Sequence, residues 1–192
     1  MQQSLFPHLK QLIGLTNEEF DVFLGCLQFQ KLKRKEVLIA EGDICRYAYF
    51  IKKGCLRYFH NVDGEEITGQ FFFENGWYTD YESFLLQKPS KQNIDALEPT
   101  ELILLPKSEL LKLYITIPKF EKFGRIMAEN AFLGLRNRTE LLTQQSAEER
   151  YLRLMKERPK VIERVPQHYI ASYLGIKPPS LSRIRKRIMN NP

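Results

Sequence analysis

Apolar and polar positions divide the chain into stretches of different period. Thr16-Asn17-Glu18-Glu19 precedes Phe20, Val22, Phe23 and Leu24. This is the capping-box form, in which a Thr hydroxyl and a Glu carboxylate satisfy the amide groups left open at a helix start, so residues 17–27 are predicted to be a short helix. From Lys31 to about Leu105 the period shortens. Apolar runs rich in β-branched and aromatic residues are broken by Gly42-Asp43, Lys53-Gly54, Asp63-Gly64 and Asn75-Gly76. Turn signals at such regular intervals predict a compact all-β unit. Asp63-Gly64, between Cys55–His60 and Glu65–Phe73, is predicted to close a hairpin, and Gly42 and Gly54 to turn corners.

Between Pro118 and Pro159 there is no proline, and Phe120, Phe123, Ile126, Met127, Ala131, Leu133, Leu135, Leu141 and Leu142 recur at helical spacing. A helix of more than 20 residues is predicted there. Its apolar positions form more than one stripe, which suits packing on the β unit with one side and on a second copy with another, the alternative being burial of both faces within one chain. Gly124 and Gly134 permit close helix approach in either case. A second capping box, Ser146-Ala-Glu-Glu149, begins a shorter helix reaching about Arg158. The expected division is an all-β domain over 1–117, a dimerisation helix over 118–145 and a C-terminal domain over 146–192.

Residues 167–186 carry the chemistry. Ile170, Ala171, Leu174, Ile176, Leu181 and Ile184 are spaced as the contacts between two crossed short helices, with Gly175 at the turn and Pro178-Pro179 in the first turn of the second helix. This is a helix-turn-helix pattern. Its second helix, about 178–189, would enter a DNA major groove. Arg183 is the candidate base reader, because a guanidinium bonds bidentately to guanine O6 and N7. Lys177, Ser180, Ser182, Arg185, Lys186 and Arg187 are the candidates for backbone phosphates.

Charge sharpens that reading. Residues 1–145 hold 18 Lys+Arg against 19 Asp+Glu, whereas residues 146–192 hold 11 against 4, a local excess of +7 that exceeds the +6 of the whole chain. Such a concentrated excess is the footprint of a polyanion-binding module. Cys26, Cys45 and Cys55 are too few and too scattered for a zinc site or a disulfide framework, and they fit a reducing compartment. No export signal or run of 18 apolar residues occurs, so a cytoplasmic protein without membrane contact is expected.

Glu36-Val-Leu-Ile-Ala-Glu-Gly-Asp43, Tyr49-Phe-Ile-Lys-Lys-Gly-Cys-Leu-Arg57, Asp63-Gly-Glu-Glu66 and Ser180-Leu-Ser-Arg-Ile184, in this order, resemble the Crp/Fnr family of bacterial regulators nearly end to end. The resemblance implies an α+β chain: an antiparallel, cyclic-nucleotide-binding-like β-roll, a long dimerisation helix and a helix-turn-helix. It also implies a homodimer on two-fold-related double-stranded DNA, with RNA polymerase as a further partner. Members that bind cyclic AMP carry a Gly-Glu pair and, about ten residues on, an Arg-Ser pair. Here the stretches are Trp77-Tyr-Thr-Asp80-Tyr-Glu-Ser-Phe84 and Pro89-Ser-Lys-Gln92, without an Arg. Asp80 brings negative charge where a phosphate would sit, and Lys91 is a point charge rather than a fork. Cyclic AMP is therefore not expected, and no cofactor is. A pocket for another effector would draw on Trp77, Tyr78, Asp80, Tyr81, Glu82, Ser83, Lys91 and Gln92. The clustered cysteines of iron–sulfur members are missing, and His8, His60 and His168 form no haem site, His168 being expected to cap or face solvent. Pro178 and Pro179 stand where many members have an acid beside the base-reading Arg, and with Pro192 soon after the recognition helix the β-hairpin wing is expected to be truncated.

No catalytic motif or metal-ligand spacing is present, and an enzyme is not expected. Glu65-Glu66 and Glu148-Glu149 read as a hairpin edge and a helix cap. The competing reading is a small-molecule sensor whose C-terminal domain docks on a protein partner. Salt separates the two, because phosphate binding weakens steeply with ionic strength and an apolar contact does not.

Overall fold

The computed structural model describes residues 2–190. Helices α1 (Gln2–Ile13) and α2 (Asn17–Gly25) lead into eight strands: β1 (Gln28–Leu32), β2 (Val37–Ile39), β3 (Tyr47–Lys53), β4 (Cys55–Val62), β5 (Glu65–Phe73), β6 (Trp77–Tyr78), β7 (Asn93–Ala96) and β8 (Thr100–Pro106). Helix α3 (Tyr81–Leu86) interrupts them. Then come α4 (Lys107–Thr116), α5 (Lys119–Gln144), α6 (Ala147–Glu157), α7 (Pro159–Arg164), α8 (Gln167–Tyr173) and α9 (Pro178–Asn190). The strands form two four-stranded sheets, ordered β1-β8-β3-β6 and β2-β7-β4-β5. The pairings of β1 and β3 with β8, β2 with β7 and β3 with β6 are antiparallel. This is the expected α+β chain with an antiparallel roll ahead of a 26-residue helix.

The chain divides into two compact units, one of residues 1–58 and 72–131, the other of residues 59–71 and 132–192. In the first, consecutive runs of strand residues fill a core with Phe50, Ile51, Leu56, Ile94, Leu102 and Leu105, all buried. Phe120 and Phe123 at the start of α5 join it, with Phe23 5.1 Å from Phe120 and Trp77 5.0 Å from Phe123 between ring centroids. Arg57 on β4 is buried there too. Its Nε and Nη2 donate to the two carboxylate oxygens of Asp95 on β7 at 3.0 and 2.8 Å, so the buried cation is fully matched by a fork-to-fork partner.

Both capping boxes form. Glu19 N–H donates to Thr16 Oγ1 and Thr16 N–H to the Glu19 carboxylate, and Ser146 and Glu149 repeat the pattern. The Lys119 ammonium beside Glu19, together with the Thr16 amide, holds that carboxyl below the usual carboxylate range. Asp63 and Gly64 close the β4–β5 hairpin with φ of 51° and 81°, the left-handed values that a two-residue hairpin turn requires. Four elements go beyond the sequence expectation, one of them the six-residue α7, which lies between α6 and α8 in the chain and buries Val161. Helix α1 buries Leu5, Leu9 and Ile13, one face at helical spacing, despite Pro7 inside it. The six-residue α3 sits within the β region, where Asp80 caps it by accepting from Ser83 N–H at 3.4 Å. Helix α4 follows β8 directly and buries Leu110 and Leu113. The second helix also ends two residues early, at Gly25, and β1 starts at Gln28 rather than Lys31.

Candidate nucleic-acid interface

In the second unit α8 and α9 meet through the expected residues. Ile170, Ala171, Leu174, Leu181 and Ile184 are buried, and Ile176 is half-buried. Gly175 takes φ of +68° between them. There its N–H and that of Ile176 donate back to the carbonyls of Ser172 and Ala171, both at 3.0 Å, closing the end of α8. Pro178 and Pro179 occupy the first turn of α9, where a missing amide hydrogen leaves no intrahelical bond unmade.

Tyr173 belongs to this core as well, though the spacing argument passed over it. The Arg138 guanidinium lies 4.1 Å from its ring centroid and donates to its carbonyl, Arg158 donates to its hydroxyl at 3.5 Å, and Phe71 packs 5.3 Å away. An aromatic ring under a guanidinium is attracted through its quadrupole as well as by contact. One side chain thereby joins α5, the hairpin and the helix-turn-helix inside this unit. Nothing local in the sequence pairs Arg138 with Tyr173; only the fold brings them together.

The outer surface of α9 is cationic. Ser182, Arg183, Lys186 and Arg187 are exposed, Ser180 and Arg185 half-buried, and Lys177 stands exposed just before the helix. Arg183, Arg185 and Lys186 make no ion pair among the described residues. Two of the cations are engaged internally. Lys177 Nζ donates to both oxygens of Glu65 at 2.8 and 2.9 Å, and Arg187 Nη1 donates to Glu148 at 2.6 Å. His168 faces solvent, as expected, beside Tyr169.

The effector candidates lie in the first unit. Trp77 packs between Phe50 and Phe123, and Tyr78 is buried against Phe72 and Tyr49 with its hydroxyl accepting from Gln92 Nε2 at 2.9 Å. Burial pushes the Tyr78 hydroxyl well above its usual range and Tyr81 up to about 12, so both stay protonated donors. Asp80 is buried and accepts from Ser90 Oγ at 2.6 Å in addition to capping α3. Ser83 Oγ donates to the Lys88 carbonyl at 2.6 Å and accepts from Cys45 N–H at 2.8 Å. Lys91 donates to Glu82 at 2.7 Å on the surface. Within this set Gln92 bonds to Tyr78, Lys91 to Glu82 and Ser83 to Asp80, while Ser90, Lys88 and Cys45 take the remaining bonds of Asp80 and Ser83, and the buried Trp77 indole N–H has no partner among the described residues.

Residues 29–116 match the family described as cyclic nucleotide-binding domain. No curated protein matches the chain. Among solved structures, FixK2 from Bradyrhizobium japonicum superposes with a TM-score of 0.72 at 16% identity, covering 85% of this chain and 85% of that one. A protein from Eubacterium rectale assigned to the Crp/Fnr family gives 0.70 at 17%, covering 92% and 84%. CLP from Xanthomonas campestris, described as a c-di-GMP responsive global regulator, gives 0.70 at 14%, covering 90% and 91%. No helix among the described residues is long and apolar enough to cross a membrane.

Proposed function

We propose that this chain, which has the Crp/Fnr fold with a cyclic-nucleotide-binding-type domain over residues 29–116, is a cytoplasmic, sequence-specific DNA-binding transcription regulator that acts as a homodimer. The observation that carries the reading is the surface of α9. A helix whose inner face closes a helix-turn-helix core presents Arg183, Lys186 and Arg187 outward, with Lys177 at its start. Arg183 reads a guanine edge, while Lys177, Arg185, Lys186, Arg187 and the hydroxyls of Ser180 and Ser182 bind phosphates and fix register.

The second copy is supported by α5. Ala128, Phe132, Leu135, Thr139 and Leu142 are exposed and alternate at spacings of four and three residues, the seam of a two-stranded coiled coil. Two chains joined along this seam would hold their recognition helices about 34 Å apart, one turn of DNA. The effector is a separate matter. A buried carboxylate at Asp80 and an ammonium at Lys91 already held by Glu82 oppose a cyclic phosphate, so the roll serves as a scaffold or takes a ligand of other chemistry.

Selection of bound sequences from a randomised DNA pool at near-physiological salt tests the proposal. A two-fold-related consensus is expected. Recovery of no consensus, with retention that does not weaken as salt rises, would transfer the C-terminal domain to a protein partner.

A further inference from the structure

We infer that the tip of the β4–β5 hairpin is an autoinhibitory latch on the helix-turn-helix, in which Glu65 occupies the Lys177 ammonium that a DNA phosphate must take. The inference rests on the DNA-binding reading above and adds to it a regulatory contact. Its first observation is chemical. Asp63, Glu65 and Glu66 put three acids within four residues at the hairpin tip, and Glu65 accepts from Lys177 Nζ through both oxygens, at 2.8 and 2.9 Å. An ammonium held by a carboxylate in this way must give up that partner, or share it at a loss, to bind a phosphate at full strength.

The second observation is that the hairpin is hooked to the domain by its backbone and not by charge alone. Ser172 Oγ on α8 donates to the Glu66 carbonyl at 3.0 Å and accepts from the Thr68 N–H at 2.9 Å. One hydroxyl therefore completes the hydrogen bonding of β5 where a further strand would otherwise pair. Further along the same strand, Arg158 Nη2 donates to the Phe71 carbonyl at 2.6 Å, and Nη1 donates to the Gln70 side chain. These contacts set Glu65 opposite Lys177 and leave the ion pair itself on the surface, at 73% exposure for Lys177 and 64% for Glu65. An exposed pair is screened and readily exchanged, which suits a contact that must open.

The test uses the full chain and a fluorescently labelled random-sequence DNA duplex, with binding followed by anisotropy at low and moderate salt. Glu65→Gln removes the latch carboxylate. Asp63→Asn removes a charge from the same turn without touching a contact to Lys177, and so measures the general effect of a less acidic tip. Glu65→Gln is expected to bind about two- to fivefold more tightly than Asp63→Asn at low salt, the range an exposed ion pair commands. In a Lys177→Gln background that advantage is expected to vanish. Equal affinity of Glu65→Gln and Asp63→Asn, or an advantage that survives in Lys177→Gln, overturns the latch while the DNA-binding reading stands. Loss of DNA binding in the parent and in every variant, with thermal midpoints unchanged, overturns both.

Discussion

Replacement of Leu135 by Ala tests the proposed α5 seam and, with it, the proposal that two recognition helices sit on one duplex. Leu135 is 66% exposed and Phe132, one helical turn before it, likewise 66%. Truncation to Ala removes three carbons, worth about 0.8 kcal/mol each on full burial, and the two thirds left to be buried in a dimer bring this to about 1.6 kcal/mol per chain. A two-fold interface contains the residue twice, so the loss is about 3 kcal/mol, or a hundredfold or somewhat more in the dimer Kd. Because the side chain is exposed in the single chain, the fold itself should lose little. Sedimentation equilibrium over a concentration series reads the constant directly. Ile115→Ala is the control, since Ile115 is 83% exposed on α4, a different helix, and its removal is expected to leave the dimer Kd unchanged. A parent that sediments as a monomer throughout, or equal weakening by Leu135→Ala and Ile115→Ala, would refute the seam.

Arg183→Ala is expected to cost about 1–3 kcal/mol at the selected site and to relax preference at one base pair per half-site, measured by competition with single-base variants. Equal weakening on all sequences would reassign Arg183 to a phosphate. The salt dependence of binding counts phosphates: Arg185 and Lys186 from two chains give a log–log slope of about −4, whereas release of Lys177 and Arg187 from their acids raises it to about −7. Gly175→Ala should destabilise the second unit by about 1–2 kcal/mol in urea melts, from backbone conformation alone, because a Cβ there meets only Leu142 at 3.5 Å, an ordinary contact. Burial lowers the His8 pKa from 6.5, so stability from this group is complete above that value and is lost as pH falls through it toward the depressed folded value; His8→Phe should flatten the urea midpoint between pH about 7.5 and about 5.5.

What could be read in advance was local. Thr16 with Glu19 and Ser146 with Glu149 each act across three residues, and Asp63-Gly64 dictates its own turn, so short-range chemistry marks these elements unaided. The helix-turn-helix was legible for a related reason: Ala171, Leu174, Leu181 and Ile184 must recur at fixed offsets for two short helices to cross. Helix α1 was not, because Pro7 argues against a helix until Leu5, Leu9 and Ile13 are seen to seal the roll. Nor was α3, whose cap at Asp80 is secured by Ser90 through a loop ten residues on. The polar neighbours of Tyr78 and Ser83 likewise depend on strand pairing and not on spacing.

The charge excess of the C-terminal segment is partly engaged within the fold. The C-terminal segment holds 11 basic residues against 4 acids, and a count alone treats all of them as equally open to a polyanion. The fold distributes them otherwise. Arg158 is tied to the Phe71 carbonyl, Arg153 to Glu157, Arg187 to Glu148 and Lys177 to Glu65, an acid 112 residues away in sequence. The last pair alters the meaning of Glu65, which by its position alone is no more than the polar edge of a hairpin. Arg183, Arg185 and Lys186 are the cations of α9 that make no ion pair among the described residues. The excess charge therefore supports the proposed polyanionic ligand, while the internal pairs decide how much of it such a ligand meets first.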